Sequence, residues 1–286
     1  MRGRALAYGA VTIVNAIASG RGAALGIKLK TIAEVELSRE RGIQVEIMGA
    51  PEEDPRLAQE SVKAVLKRVG VQGYGAHVSI TSEIPIARGL KSSSVASNAV
   101  VLATLAALKE EIEDMEDINL GVDASLAAGV SITGAFDDAS ASYFGGAVVT
   151  DNRERRIIKR EEVEEDLMVV LYIPSQKMYT KDVNKQRLMK LGGLVDEIHR
   201  LAVEGRYWKA MTLNGLLYAP ALGFQPEIII DALEEGAIAA SLSGTGPSFA
   251  AVCPCDSVEA VSSCWAGLPG RVVTVEVNNE KAGVIG

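Results

Sequence analysis

The chain has 286 residues, of which 48% are hydrophobic and 23% are charged. That composition is ordinary for a globular protein and excludes disordered, collagen-like and coiled-coil classes. The length exceeds the ~100 to 200 residues of one typical domain, so we expect two domains. The 29 basic and 37 acidic residues give a net charge of -8, which argues against binding to nucleic acid or anionic lipid through overall charge.

Other compositional features indicate the compartment. No apolar run approaches the ~18 residues of a membrane span, and the N-terminus lacks a signal-peptide pattern. The three cysteines lie close together in the sequence, at Cys253, Cys255 and Cys264, and are too few and too irregular for a disulfide framework. We therefore expect a cytoplasmic protein with no membrane partner, whose cysteines are buried structural thiols.

Hydrophobic periodicity predicts the secondary structure in chain order. In the first half, strands are expected over 5–14, 26–37, 43–48, 77–84 and 147–149, and helices over 54–69, 92–108 and 116–128. The charged stretch 151–166 is typical of a domain junction or a solvated hairpin. In the second half, strands are expected over 167–173, 238–242, 249–252 and 272–277, and helices over 183–204, 207–218, 225–235 and 257–265. This irregular alternation favours an α+β architecture in two lobes over a doubly wound parallel sheet.

The most informative segment joins the strand that ends at Pro85 to the apolar helix that begins at Ser92. The first amides of a helix have no partner within it, and with the helix dipole they form a binding site for phosphate. A glycine, a lysine and three serines lie at this point, within the run Pro85, Ile86, Ala87, Arg88, Gly89, Leu90, Lys91, Ser92, Ser93 and Ser94. The alternative is a serine that simply caps a core helix. The segment is not a Walker A loop, because the chain contains no Gly-Lys pair.

Two other segments carry polar groups in small-residue surroundings. The adjacent acids Asp137 and Asp138 precede a Gly-Gly pair, and an acid in a cleft can accept a proton from a hydroxyl. As isolated acids they would more often cap a turn. The segment 243–248, which reads Ser-Gly-Thr-Gly-Pro-Ser, could cover the same phosphates or make an ordinary tight turn.

Near the N-terminus, the spacing Gly20-x-Gly22-x-x-x-Gly26 weakly resembles a dinucleotide-binding loop. That fingerprint needs a helix after its glycines, whereas the following residues favour a strand. An ordinary loop containing a buried Asn15 is the alternative.

Taken together in chain order, segments 85–94, 134–146 and 243–248 resemble the three-part pattern of the GHMP kinase superfamily. Together with 9–16, they are most similar to the archaeal-type shikimate kinases, and the resemblance spans nearly the whole chain. It implies an N-terminal domain like domain 2 of ribosomal protein S5 over residues 1–160, and a C-terminal ferredoxin-like domain over 161–286, with the site between them.

The resemblance also implies an enzyme that transfers the γ-phosphoryl group of ATP to the 3-hydroxyl of shikimate with Mg²⁺, working as a monomer or homodimer. It assigns residues 85–94 to the phosphates of ATP, with Ser93 as the magnesium ligand, and Asp138 as the base that accepts the hydroxyl proton. Substrate binding is assigned to Thr12, Asn15, Asp137, Gly244, Thr245 and Gly246.

The metal ligands, the cation that binds the substrate and the function itself have alternatives. The glutamate that binds metal in mevalonate kinase corresponds to Ala127 here, and Asp123 is the nearest acid. The substrate carboxylate needs a cation, preferably an arginine, and the candidates are Arg21, Lys28 and Arg88. The alternatives are another small-molecule kinase of the superfamily, such as a homoserine kinase, or a non-catalytic ligand-binding or RNA-binding module, because a fold does not fix a function.

Overall fold

The computed structural model describes residues 1–131, 133–175 and 185–286, and within these ranges the chain forms two β-sheets with helices packed against them. The strands are β1 (Arg2–Val14), β2 (Arg21–Ser38), β3 (Ile43–Ile47), β4 (Gly75–Ser82), β5 (Ala147–Asp151), β6 (Arg156–Glu161), β7 (Leu167–Pro174), β8 (Ala239–Leu242), β9 (Phe249–Pro254), β10 (Gly270–Glu276) and β11 (Gly283–Val284). The helices are α1 (Arg56–Val69), α2 (Ser92–Leu108), α3 (Asp114–Ala127), α4 (Phe136–Phe144), α5 (Lys185–Met189), α6 (Gly192–Val203), α7 (Tyr207–Ala221), α8 (Glu227–Glu234) and α9 (Val258–Ala266).

The first sheet has seven strands and contains the N-terminal half of the chain. Its main path runs β11-β1-β2-β4-β3, and only the β3–β4 pair is parallel. The long strand β2 serves two neighbours in turn: its first part, from Arg21, pairs with β5, and its later part, from Thr31, pairs with β4. The C-terminal strand β11 returns to this sheet and pairs with β1.

Helix α2 fills the interior between the first sheet and the helices α1 and α3. Its predicted range, 92–108, and its burial are both confirmed. Residues on all sides of α2 are buried. This agrees with its small and apolar sequence, because a helix that is apolar all round is stable only inside a core.

The second sheet is antiparallel, with the order β10-β7-β9-β8. Helices α7, α8 and α9 pack against it. Helix α7 also contacts β1 of the first sheet, and α6 packs on α7, β1 and β2, so these two helices join the lobes. The two-lobed α+β prediction is confirmed. The boundary between residues 160 and 161 stays a prediction.

Some local predictions differ from the structure. The predicted helix 183–204 has a break between α5 and α6, and residues 183 and 184 lie outside the described ranges. Cys253 is buried as expected, but Cys255 is exposed and Cys264 is half-buried, so the buried-thiol prediction was wrong for Cys255; all three thiols are free.

No helix within the described residues is long and apolar enough to span a membrane.

Candidate active site

A cavity of about 350 Å³ lies where the predicted segments meet. Its walls come from the end of β1, the loop before α2, the start of α2, the start of α4 and the loop after β8. Of the predicted site residues, those that line it are Asn15, Ile86, Ala87, Gly89, Lys91, Ser92, Ser93, Ser94, Asp137, Asp138, Gly244 and Thr245. Segments up to 230 residues apart in the sequence thus share one concave surface, the usual form of a small-molecule site.

The start of α2 differs from the serine cap considered above. The N-cap residue is Lys91, with a left-handed backbone (φ 64°) and no side-chain capping bond, and the three serines form the first helical turn. The first amide that bonds back into the helix is that of Val95, which donates to the Lys91 carbonyl at 3.1 Å. The amides of Ser92–Ser94 therefore lie at the positive end of the helix dipole, beside the cavity.

The loop before α2 has an alternating backbone. Ala87, Gly89 and Lys91 have φ values of 55°, 81° and 64°, whereas the intervening residues lie outside the left-handed region. A left-handed non-glycine residue costs about 1 to 3 kcal/mol, and such strain concentrates at functional sites. Alternating backbone of this kind gathers amide groups into an anion-binding concavity.

The loop after β8 holds the loop before α2 in place. The hydroxyl of Ser243 donates to the Gly89 carbonyl at 2.8 Å, and the Ser248 amide donates to the Arg88 carbonyl at 3.2 Å. These bonds fix two carbonyl oxygens of the loop, one on each of two adjacent residues. The 243–248 segment is therefore a structural partner of the phosphate-binding candidate as well as part of the cavity wall.

The end of β1 is bonded to the same loop. Thr12 Oγ1 accepts a hydrogen bond from the Gly244 amide at 2.8 Å, and Asn15 Nδ2 donates to the Gly244 carbonyl at 2.7 Å. Asn15 is buried as expected, and its Oδ1 accepts from the Ile17 amide at 2.9 Å. Because these groups already have protein partners, Thr12 and Asn15 shape the wall that a substrate would touch.

The two acids lie on a helix that the sequence analysis did not predict. Helix α4 begins at Phe136, which places Asp137 and Asp138 in its first turn, and both carboxyl groups are buried. Negative charge is favoured at a helix N-terminus. The expectation that such acids would cap a turn was wrong for this pair.

Asp138 forms an ion pair with Lys91, with 2.9 Å between Oδ1 and Nζ. Burial, and after it the charge of Asp137, raise the pKa of Asp138, while Lys91 lowers it; together these effects raise the pKa to about 7. A carboxyl group with a pKa near neutrality is well matched to accept a proton at neutral pH. The Lys91 ammonium also lies over Gly244, since a Cβ added there would be 3.3 Å from Nζ.

Several predicted residues do not line the cavity. Leu90 is buried in the core, and Pro85, Thr12 and Gly246 are also absent from the lining. Arg88 also lies outside the lining, and its guanidinium donates to the Ser175 carbonyl at 2.6 Å.

The other cation candidates for a substrate carboxylate are engaged elsewhere. Arg21 pairs with Asp196 at 3.2 Å, and Lys28 pairs with Glu276 at 2.7 Å. Neither lines the cavity. Asp123, considered as a metal ligand, forms an ion pair with Arg155 at 2.6 Å and is also absent from the lining.

One end of the cavity is lined by residues that no sequence motif predicted. Ile47 ends β3, and Arg56 and Leu57 begin α1. They line the cavity together with Ser125, Ala128, Gly129, Val130, Ser131 and Thr133. Their sequence carries no recognisable motif, and the packing of α1 beside β3, α2 and α3 brings them to the site. Hydrophobic periodicity predicts β3 and α1 themselves, but it does not indicate that the end of β3 and the start of α1 line a cavity.

The loop geometry makes Gly89 a sensitive position. A Cβ there would overlap the Ser243 carbonyl oxygen, and its φ of 81° disfavours any other residue. We expect Gly89→Ala to lower the free energy of unfolding by at least about 1 to 2 kcal/mol, the cost of the left-handed backbone alone. Chemical denaturation measures this. Gly193→Ala, in α6 with open space around the added carbon, is the control and should be neutral or slightly stabilising; equal losses in both variants would contradict the argument.

Comparison with known proteins agrees with the geometry. Residues 56–146 match the model for the GHMP kinases N terminal domain. A shikimate kinase of Methanosarcina mazei is 49% identical over 99% of this chain and 96% of its own length. A shikimate kinase of Methanothermobacter thermautotrophicus is 46% identical over 97% of this chain and 96% of its own length.

Solved structures extend the likeness to the fold. A homoserine kinase from Cytophaga hutchinsonii superposes with a TM-score of 0.78 at 18% identity, covering 99% of this chain and 97% of the other. The Methanococcus jannaschii mevalonate kinase gives a TM-score of 0.73 at 15% identity, with 98% of each chain covered. At such low identity these two show the fold alone, whereas the closer archaeal relatives match throughout. The chain therefore belongs to the GHMP kinase superfamily, in the family of the archaeal shikimate kinases.

Proposed function

We propose that this protein transfers the γ-phosphoryl group of ATP to the 3-hydroxyl of shikimate. The observation that carries the proposal is the buried Lys91–Asp138 ion pair at the point where the loop before α2, the start of α4 and the loop after β8 meet. Family membership supports a kinase that uses ATP, and the names of the archaeal relatives support shikimate as the acceptor. The same names do not favour a non-catalytic binding module.

Asp138 serves as the base. When the acceptor hydroxyl attacks the γ-phosphorus, its oxygen forms the new P–O bond while the bond to the ADP oxygen breaks, and the hydroxyl proton passes to an oxygen of Asp138. Catalysis of phosphoryl transfer depends mainly on position and charge, so the base only has to lie within about 3 Å of the hydroxyl when substrate is bound. Its pKa of about 7 leaves a substantial fraction of Asp138 ionised at neutral pH.

Lys91 and the first turn of α2 stabilise the phosphates. The ammonium group lies between Asp138 and Gly244, where it can neutralise charge on the transferred group while it orients the base. The amides of Ser92–Ser94 supply fixed hydrogen-bond donors at the positive end of a buried helix. Such preorganised donors need no rearrangement during the reaction.

The residues present fit a magnesium ion that is shared with the nucleotide. Within the described ranges, no three histidine, cysteine or acidic side chains gather as a protein metal site. Mg²⁺ commonly keeps several waters and takes few protein ligands in addition to phosphate oxygens. The Ser93 hydroxyl, in the cavity wall beside Lys91, would hold it. When bound, the ion neutralises phosphate charge.

The decisive experiment couples ADP release to shikimate. Purified protein with ATP and Mg²⁺ is expected to release ADP at a rate that saturates with shikimate, and phosphorus NMR should show one new phosphate monoester. 3-Dehydroshikimate, which has a carbonyl in place of the accepting hydroxyl, should support no transfer. Turnover with homoserine or mevalonate in the absence of turnover with shikimate would contradict the proposed acceptor. The cytoplasmic location and the monomeric or dimeric state stay predictions.

A further inference from the structure

Behind the two acids of the site lies a buried asparagine that neither the motifs nor the family resemblance singled out. Asn152 follows strand β5 and is 6% exposed. Its Nδ2 donates to Asp137 Oδ1 at 2.7 Å, and its Oδ1 accepts from the Thr150 hydroxyl at 2.6 Å. The amide orientation follows from these bonds, because Thr150 Oγ1 can donate to the Oδ1 atom and the carboxylate can only accept from Nδ2.

The other side of Asp137 is closed by backbone. Asp137 Oδ2 lies so close to Gly22 that an added Cβ there would overlap it. Gly22 in turn pairs with Thr150 across strands β2 and β5. The Asp137 carboxylate therefore lies between the backbone of β2 and an amide donor that follows β5.

This arrangement separates the roles of two adjacent acids. Lys91 is the cation paired with Asp138, and Asn152 is a neutral donor to Asp137. Without that donor, the Asp137 carboxylate would compete with Asp138 for the lysine. The amide therefore keeps the lysine on Asp138.

We propose that Asn152, held by Thr150, is a positioning residue that orients Asp137 and thereby assigns the proton-accepting role to Asp138. The inference rests on the proposed function of the site and adds a residue to it. Among the described residues, the charged or titratable groups that face the pair or its support are Lys91, from the start of α2, Tyr218, from α7, and His199, from α6. His199 Nε2 lies 3.1 Å from the Thr150 carbonyl oxygen, and burial lowers the pKa of His199. Burial raises the pKa of Tyr218, so it stays neutral, and its hydroxyl donates to the Asn15 carbonyl at 3.1 Å.

The inference predicts a specific change in pH dependence. In Asn152→Leu, which keeps the branched shape of the side chain and removes the donor, the freed Asp137 carboxylate should share Lys91 with Asp138. Lys91 lowers the pKa of Asp138, so a weaker hold of Lys91 on Asp138 should move the acidic limb of the kcat profile up by about one pH unit, the order of effect of one nearby opposite charge on a carboxyl group. The plateau of kcat should fall about tenfold because Lys91 orients the base less well, and KM for shikimate should stay within about threefold.

A graded variant and a control accompany this change. Thr150→Val removes the hydroxyl that orients the amide and should move the acidic limb in the same direction by a smaller amount. Thr104→Val removes a buried hydroxyl that bonds only to the Val100 carbonyl within α2, so it should leave the profile in place. A variant that is merely damaged would lose rate at every pH without moving the limb.

A crystal structure of Asn152→Leu provides a readout that does not need turnover. The expected result is that the Asp137 carboxylate rotates away from its wild-type position towards Lys91. An unmoved Asp137 together with an unmoved acidic limb would overturn the inference, whatever the activity. If wild-type protein fails to phosphorylate shikimate, the proposed function fails, and the position of Asp137 in the variant still decides the role of Asn152.

Discussion

Replacing Asp138 by asparagine is expected to lower kcat by about 10²- to 10⁴-fold, the usual contribution of a positioned general base. The amide has nearly the same shape but cannot accept the hydroxyl proton. KM for shikimate and ATP should change by only a few-fold, because the cavity wall is retained. Steady-state kinetics of ADP release measure both constants.

The matched control is Asp123→Asn, which makes the same chemical change at an acid outside the cavity. Asp123 is exposed and pairs with Arg155, and an exposed ion pair contributes little to stability. Its kcat should be close to that of the wild type. Retention of full activity in Asp138→Asn would remove the base from the mechanism, while an equal loss in Asp123→Asn would point to a general effect of the substitution.

Replacing Lys91 by methionine is expected to lower kcat/KM by about 10²- to 10³-fold, as loss of one preorganised donor to a transition-state charge does elsewhere. The change removes the ammonium group but keeps much of the apolar stem. Both of its proposed roles would be lost, namely the charge beside the phosphates and the ion pair that orients Asp138. Lys67→Met, on the exposed face of α1, is the control and should retain wild-type kinetics.

The same variant tests the electrostatics of the pair. Lys91 lowers the pKa of Asp138, so its removal should raise that pKa above about 7. Because the base must be ionised, the acidic limb of the kcat profile should move to higher pH, in the same direction as the shift expected for Asn152→Leu but further. A limb that stays in place after loss of Lys91 would show that Asp138 does not set it.

The elements that the sequence predicted best are those whose local pattern and tertiary role agree. Helix α2 was predicted to the residue because a long run of small and apolar residues without glycine or proline has no stable alternative outside a buried helix. Helix α4 was missed for the opposite reason. It has nine residues between glycines, with two acids in its first turn, and so short a segment is stabilised by packing rather than by propensity.

The sequence by itself determined the class of fold and the three polar segments, because these depend on the pattern of residue types along the chain. The choice of Asp138 as the base came from the family resemblance and stays a prediction. Tertiary structure alone decided which of those residues face the cavity, why Arg21, Lys28 and Arg88 do not, and that Asn152 holds Asp137. Such relations depend on contacts between strands and helices that are distant in sequence. The register of β2 against β5, which places Gly22 and Thr150 beside the acids, is set by the packing of the whole sheet and cannot be deduced from either strand.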